Sequence, residues 1–261
     1  MALDSLANAA GNYHLEKPLM SDATAYPPVY PHDPIDEIAP DVFMVRGSIK
    51  LNALIRITRN MAVIRHDGEL TLVNPIRLSS AEEEKLSALG AIKRVMRIGP
   101  MHGVDDPYYV NTFKAEFWCQ PGGTTYTQPA IDVEMQADGP LPFPDAQLFC
   151  FNGTVQPESA LVLQRGDGLL LTSDAIQHYG DYKHNNLPAR LVLPFMGFPK
   201  TTLVGPIWLK VMTPEGTSLK QEFERLLSLD FDALLSSHGS FLAHGAKAGV
   251  QAAVDRAFSN K

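Results

Sequence analysis

Beyond residue 40 the chain alternates short apolar runs with polar breaks, and the period of each run predicts its element. Residues 42–45 and 54–57 are rich in aliphatic and β-branched side chains and predict strands. Residues 61–66 and 69–73 flank Asp67-Gly68, which predicts a tight hairpin because glycine takes positive φ without steric cost. Ser80-Ala81-Glu82-Glu83 has the spacing of a capping box and predicts a helix through Leu89, ended by Gly90. A strand over 91–98 then runs straight into Gly99-Pro100-Met101-His102. Residues 120–144 are rich in glycine, proline and threonine and predict a surface excursion with one short strand within 130–135.

The second half shares this order of strands followed by helix. Strands are expected over 147–151, 159–164 and 169–172, the last two joined at Gly166-Asp167-Gly168. Residues 188–197 predict a helix, as do 219–229, where Phe223, Leu226 and Leu227 recur at helical spacing. A last strand over 231–235 leads into Ser236-Ser237-His238-Gly239, and a terminal helix over 246–258 puts Val250, Val254 and Phe258 on one face. Residues 1–38, with prolines at 27, 28, 31 and 34, predict an irregular arm ahead of one domain over 39–261.

Composition narrows the function classes. A chain of 261 residues, 45% hydrophobic and 20% charged, can bury a core without disulfides or a structural metal, so any metal would serve chemistry. A net charge of −7 without a run of lysine and arginine argues against a nucleic-acid partner. No apolar stretch nears the roughly 20 residues of a membrane helix, which leaves no membrane partner expected. The N-terminus has neither the basic nor the long apolar part of a signal peptide. Cys119 and Cys150 each lie in an apolar run, form no CxxC pair, and predict reduced strand residues in a cytoplasmic protein. A small-molecule substrate or ligand is the expected partner, and a homo-oligomer stays open.

Candidate chemistry recurs in one context, just after an apolar strand. His102 with Asp105 and Asp106, then Asp174, then His238 all stand there, which suggests convergence on one site. Imidazole and carboxylate together suit zinc, iron or manganese. His178 and His184 follow Asp174 closely enough for their loop to fold over such a site, His178 as a substitute ligand. Tyr109 is a pocket candidate beside the His102 loop, and Tyr108 with it. His14, His32, His66 and His244 have no companions and read as surface residues.

The order of elements resembles the metallo-β-lactamase superfamily, and three stretches carry the resemblance. Arg97-Ile98-Gly99-Pro100-Met101-His102-Gly103-Val104-Asp105-Asp106 looks like that family's HxHxDH loop. Gly168-Leu169-Leu170-Leu171-Thr172-Ser173-Asp174 looks like its strand ending in the bridging aspartate. Leu234-Leu235-Ser236-Ser237-His238-Gly239 looks like its last metal histidine. The resemblance implies an α/β chain of α+β four-layer type, an αββα sandwich of two mixed β-sheets flanked by helices. It implies His102, Asp106, Asp174 and His238 as metal ligands, with Asp106 and Asp174 also catalytic and Asp105 replacing Asp106 if the loop shifts by one. Val104, Pro107 and Gly153 stand where the family has histidines. The implied function is hydrolase-like, with a reduced mononuclear or vestigial site for one divalent ion, on an ester, lactone, amide or phosphoester. The alternative is a metal-free, inactive binding or scaffold protein.

Overall fold

The computed structural model describes residues 26–259. The expectations that fall on residues 1–25, His14 among them, lie outside the described residues.

In chain order the first strands are β1 (Asp36–Ala39), β2 (Val42–Lys50), β3 (Arg56–His66) and β4 (Glu69–Val73), followed by helix α1 (Ser80–Leu89). β5 (Ala91–Arg97), α2 (Asp106–Phe113), β6 (Glu116–Cys119) and β7 (Val133–Glu134) complete a seven-stranded sheet ordered β1 to β7. The second sheet has four strands. It takes β8 (Ala146–Cys150), β9 (Ser159–Leu163), β10 (Leu169–Thr172) and β13 (Ala233–Ser236), in the order β13-β10-β9-β8. Between β10 and β13 the chain forms β11 (Ile176–His178), α3 (Leu187–Val192), a 3-10 turn (Leu193–Met196) and β12 (Thr202–Val204). Helices α4 (Pro206–Met212) and α5 (Lys220–Leu227) follow, and α6 (Ala246–Phe258) closes the chain.

The apolar runs are continuous, not alternating, because both faces of each sheet are covered. Val42 and Met44 of β2 join Ala62, Ile64, Leu161, Leu163, Leu169 and Leu171 between the sheets. The intervening Phe43 and Val45 pack outward with Leu86 of α1 and Tyr109 of α2. Ala160, Val162 and Leu170 face outward on the second sheet, against Trp208, Phe223 and Val250 of α4, α5 and α6. Helix, sheet, sheet and helix are therefore four layers, as the family resemblance implies.

Some local expectations change. β3 is one strand of eleven residues, although Thr58-Arg59-Asn60 interrupts its apolar pattern. These three polar side chains are buried because loops from several elements supply their partners: Asn60 donates to the Ser236 and Gly239 carbonyls at the end of β13, Thr58 Oγ1 to the Lys183 carbonyl, and Arg59 to Asp105 and to the Pro75 and His102 carbonyls. The capping box is not made. Ser79 is the N-cap and has no side-chain cap bond, while the Glu82 carboxylate accepts from the Ile35 amide and Lys85 instead. Strand pairing begins at Asp36, so part of the expected arm belongs to the sheet. His32 is not a free surface residue: its Nε2 accepts from the Ser79 amide at 2.9 Å. Cys119 and Cys150 are strand-end residues and are unpaired. No helix among the described residues is long and apolar enough to cross a membrane.

Candidate metal centre

β10 and β13 run parallel, with Thr172 opposite Ser236, so their carboxyl ends release Asp174 and His238 side by side. The loop after β5 enters from the other sheet, and two contacts pin it there. The Ile98 carbonyl accepts from the Ser159 amide, and the Ile98 amide donates to Asn74 Oδ1. His102 then reaches Asp174, its Nε2 2.9 Å from Oδ2, while His238 Nε2 lies 3.2 Å from Oδ1. One donor atom from each of the three lies within 4.8 Å of the other two.

The protons on His238 are constrained. Its Nδ1 lies 2.6 Å from the Thr58 carbonyl, which only accepts, so Nδ1 carries a hydrogen. In the neutral ring Nε2 then points a lone pair at a carboxylate oxygen. That pairing is repulsive unless a cation or a proton stands between them. Burial pushes the buried His102 down, against the pull of Asp174, which disfavours the imidazolium there. His102 Nδ1 has no hydrogen-bond partner among the described residues. Burial alone would raise the Asp174 carboxyl, but His102 and His238 outweigh it and hold it well below the usual carboxylate range.

The donor set fits one divalent ion. Bonds of about 2.0–2.2 Å around a tetrahedral ion put its donors roughly 3.3–3.5 Å apart, and one donor atom from each of the three residues lies within 4.8 Å of the other two, a spacing from which small side-chain shifts reach that geometry. Two histidines and one carboxylate suit zinc, and equally iron or manganese.

Asp105 and Asp106 are not in this group. Both are buried, and each is the counter-ion of a buried arginine. Arg59 Nη1 lies 3.1 Å from Asp105 Oδ2, and Arg97 Nε lies 2.6 Å from Asp106 Oδ2. Burial pushes Asp106 up to about 6 while Arg97 pulls it down. The two pairs brace the loop: Arg59 also donates to the His102 carbonyl, and Arg97 to those of Tyr126 and Gln128. Asp106, expected as a ligand, is thus placed against Arg97 and outside the group of His102, Asp174 and His238. His178 also stays outside: its Nδ1 meets Thr202 Oγ1 at 2.9 Å on β11. Tyr109 is core, its hydroxyl donating to the Ile76 carbonyl. His184 pairs with Asp33 of the arm, 3.0 Å away. Pro107 opens α2, and Gly153 sits exposed on the surface with φ 71°.

Sequence patterns miss several residues that hold the site. Glu158, fully buried, accepts from the amides of Asp174 and Ala175 at 3.1 and 3.0 Å, fixing the turn that aims Asp174. Asn60 Nδ2 donates to the Ser236 and Gly239 carbonyls on either side of His238. Asn74 donates to Ser237 Oγ at 2.8 Å. A polar residue inside or beside an apolar strand is the one available signal for all three. His102 and Asp174 are buried, and the His238 edge is the part of the centre that reaches solvent.

Comparison with solved structures gives the fold its name. The chain superposes on a metallo-β-lactamase from Pseudomonas aeruginosa in its mono-zinc form. The TM-score is 0.61 at 9% identity, covering 89% of this chain and 99% of that one. A metallo-β-lactamase from Erythrobacter litoralis gives 0.57 at 11% identity, covering 87% and 92%, and one from Hirschia baltica gives 0.54 at 11%, covering 86% and 98%. No protein-family model and no curated protein matches the chain. This chain has the metallo-β-lactamase fold.

Proposed function

We propose that this chain is a hydrolase-like metalloprotein that holds one divalent ion, zinc or else iron or manganese, on His102, Asp174 and His238. The observation that carries this reading is the convergence of three donors from three strand ends, with the Thr58 carbonyl setting the His238 proton on Nδ1. When bound, such an ion lowers the pKa of a coordinated water toward 7. Asp174 supplies the balancing charge and orients the water, and Glu158 holds Asp174 in place through its backbone. Arg59 keeps the His102 loop closed. The substrate class is an ester, lactone, amide or phosphoester, reached from the His238 edge. Two unpaired cysteines suit work in a reducing cytoplasm.

A metal-free binding protein is the second reading. It is favoured by Asp174, whose carboxylate already meets His102, His238 and Gln177 Nε2. Elemental analysis of protein purified without chelator separates the two. The metalloprotein reading expects close to one ion per chain, lost in His102→Ala and His238→Ala and kept in Asp106→Asn. Absence of bound metal after incubation with zinc and dialysis would overturn it.

A further inference from the structure

The lobe made by the β2–β3 hairpin tip, α3, the 3-10 turn and α4 exposes apolar side chains in a pattern no other surface shares among the described residues. Leu187, Leu191 and Phe195 recur every four residues and are 68%, 62% and 90% exposed, while Ala189 and Leu193 on the opposite face are buried. The hairpin tip is tied to the start of this stripe. Asn186 Nδ2 donates to the Leu54 carbonyl, and the Asn186 amide donates to that of Arg56. This sets Leu54, 72% exposed, beside Leu187. At the other end, a Cβ added at Gly197 would meet Pro206 at 3.3 Å, so the stripe abuts α4. Ile207 and Val211 of α4 are exposed there too, with Lys210 between them on the same face. Isolated exposed apolar residues are ordinary, but a contiguous set marks an interaction surface.

Charge says what kind. The chain carries 29 acidic residues against 22 basic ones, yet it has no aspartate or glutamate from residue 182 to 214, nor from 42 to 66. Both segments of the lobe lie within those stretches, and Lys50, Arg190, Lys200 and Lys210 are exposed on them. Arg190 Nε donates to the Asn185 carbonyl and Lys200 lies over the Tyr182 ring, so neither spends its charge on a carboxylate there. We propose that this lobe docks on an anionic lipid bilayer, with Leu191 and Phe195 entering the headgroup–acyl boundary and the basic residues facing acidic headgroups. An apolar face rimmed by lysine and arginine is the chemistry of a peripheral membrane contact. A second copy of the chain fits less well, since a two-fold contact would set the same basic residues against each other. The absence of a membrane-spanning run does not bear on such a surface, which is assembled from separate segments.

Vesicle co-sedimentation tests this without reference to the metal centre. Full-length protein should pellet with phosphatidylcholine vesicles containing phosphatidylserine and stay in solution with phosphatidylcholine alone. Arg190→Glu with Lys200→Glu should weaken that binding roughly tenfold or more, and raised salt should weaken it likewise. Leu191→Asp with Phe195→Asp should abolish it with an unchanged circular dichroism spectrum, since both side chains stand in solvent. Phe195→Trp should show a blue-shifted emission on the acidic vesicles. Failure of wild-type protein to bind acidic vesicles at low salt overturns the proposal. So does a self-association that Phe195→Asp abolishes while vesicle binding is absent, which would assign the surface to a second copy.

Discussion

Asp106 opens the helix that follows β5 and Asp174 stands just past β10; both are buried, and their surroundings treat them oppositely. Asp106 faces a guanidinium, which is charged at any ordinary pH and cannot give up its place. Asp174 faces two imidazoles, each able to stay neutral and offer a lone pair. The first arrangement is closed and its product is rigidity. The second is the set of donors on which the proposed ion would sit. A buried carboxylate near a strand end is therefore evidence of a metal site only once its partners are known.

Substitutions at either carboxylate or its partners should separate the two arrangements. The largest effect is expected from Arg97→Leu, which strands Asp106 in the interior and should destabilise the fold by roughly 3–5 kcal/mol in urea titration. Arg97→Leu with Asp106→Leu should recover most of that loss, whereas a site role for Asp106 predicts that the double variant also loses bound metal. Glu158→Ala leaves two buried amides without an acceptor and should cost about 2–3 kcal/mol, with Glu158→Gln costing less. Asp174→Asn should move stability by no more than about 1 kcal/mol in metal-free protein. Metal retention should fall at least roughly tenfold. A further effect is one of pH. The folded-state pKa of Asp106 is raised to about 6 by burial, above its unfolded value, so the folded state holds the extra proton between the two. Its contribution to stability is present below the unfolded pKa and is lost as pH rises through about 6. Urea midpoints of wild type and Asp106→Asn should therefore diverge over that window, the wild type losing ground as pH rises.

Much of the fold is legible in the chain because its signals are local. Asp67-Gly68 turns its hairpin, and 246–258 is the helix its apolar spacing predicts. The convergence of His102, Asp174 and His238 is legible too, since all three follow apolar strands. What is not legible is pairing across long separations. Nothing near Asp106 in sequence says that the Arg97 side chain turns back nine residues to meet it rather than facing solvent. Thr58-Arg59-Asn60 looks like a break between two short strands because polarity within a run ordinarily means exposure. Here it means that loops distant in sequence have come to meet the strand. Glu158 carries no signature beyond its place beside an apolar strand, because its work is done through backbone amides.

Those three residues of β3 bear on the order of events as the chain folds. Thr58 holds His238 across a separation of 180 residues, Asn60 holds Ser236 across 176, and Arg59 holds the His102 loop across 43. The first two contacts close loops over about two thirds of the chain and form only after that loop-closure entropy has been met. The centre is thus expected to complete late in assembly, when the last strand docks beside the first sheet. Any ion it takes up then favours the finished state of both sheets at once, and slows unfolding where the first contact must open.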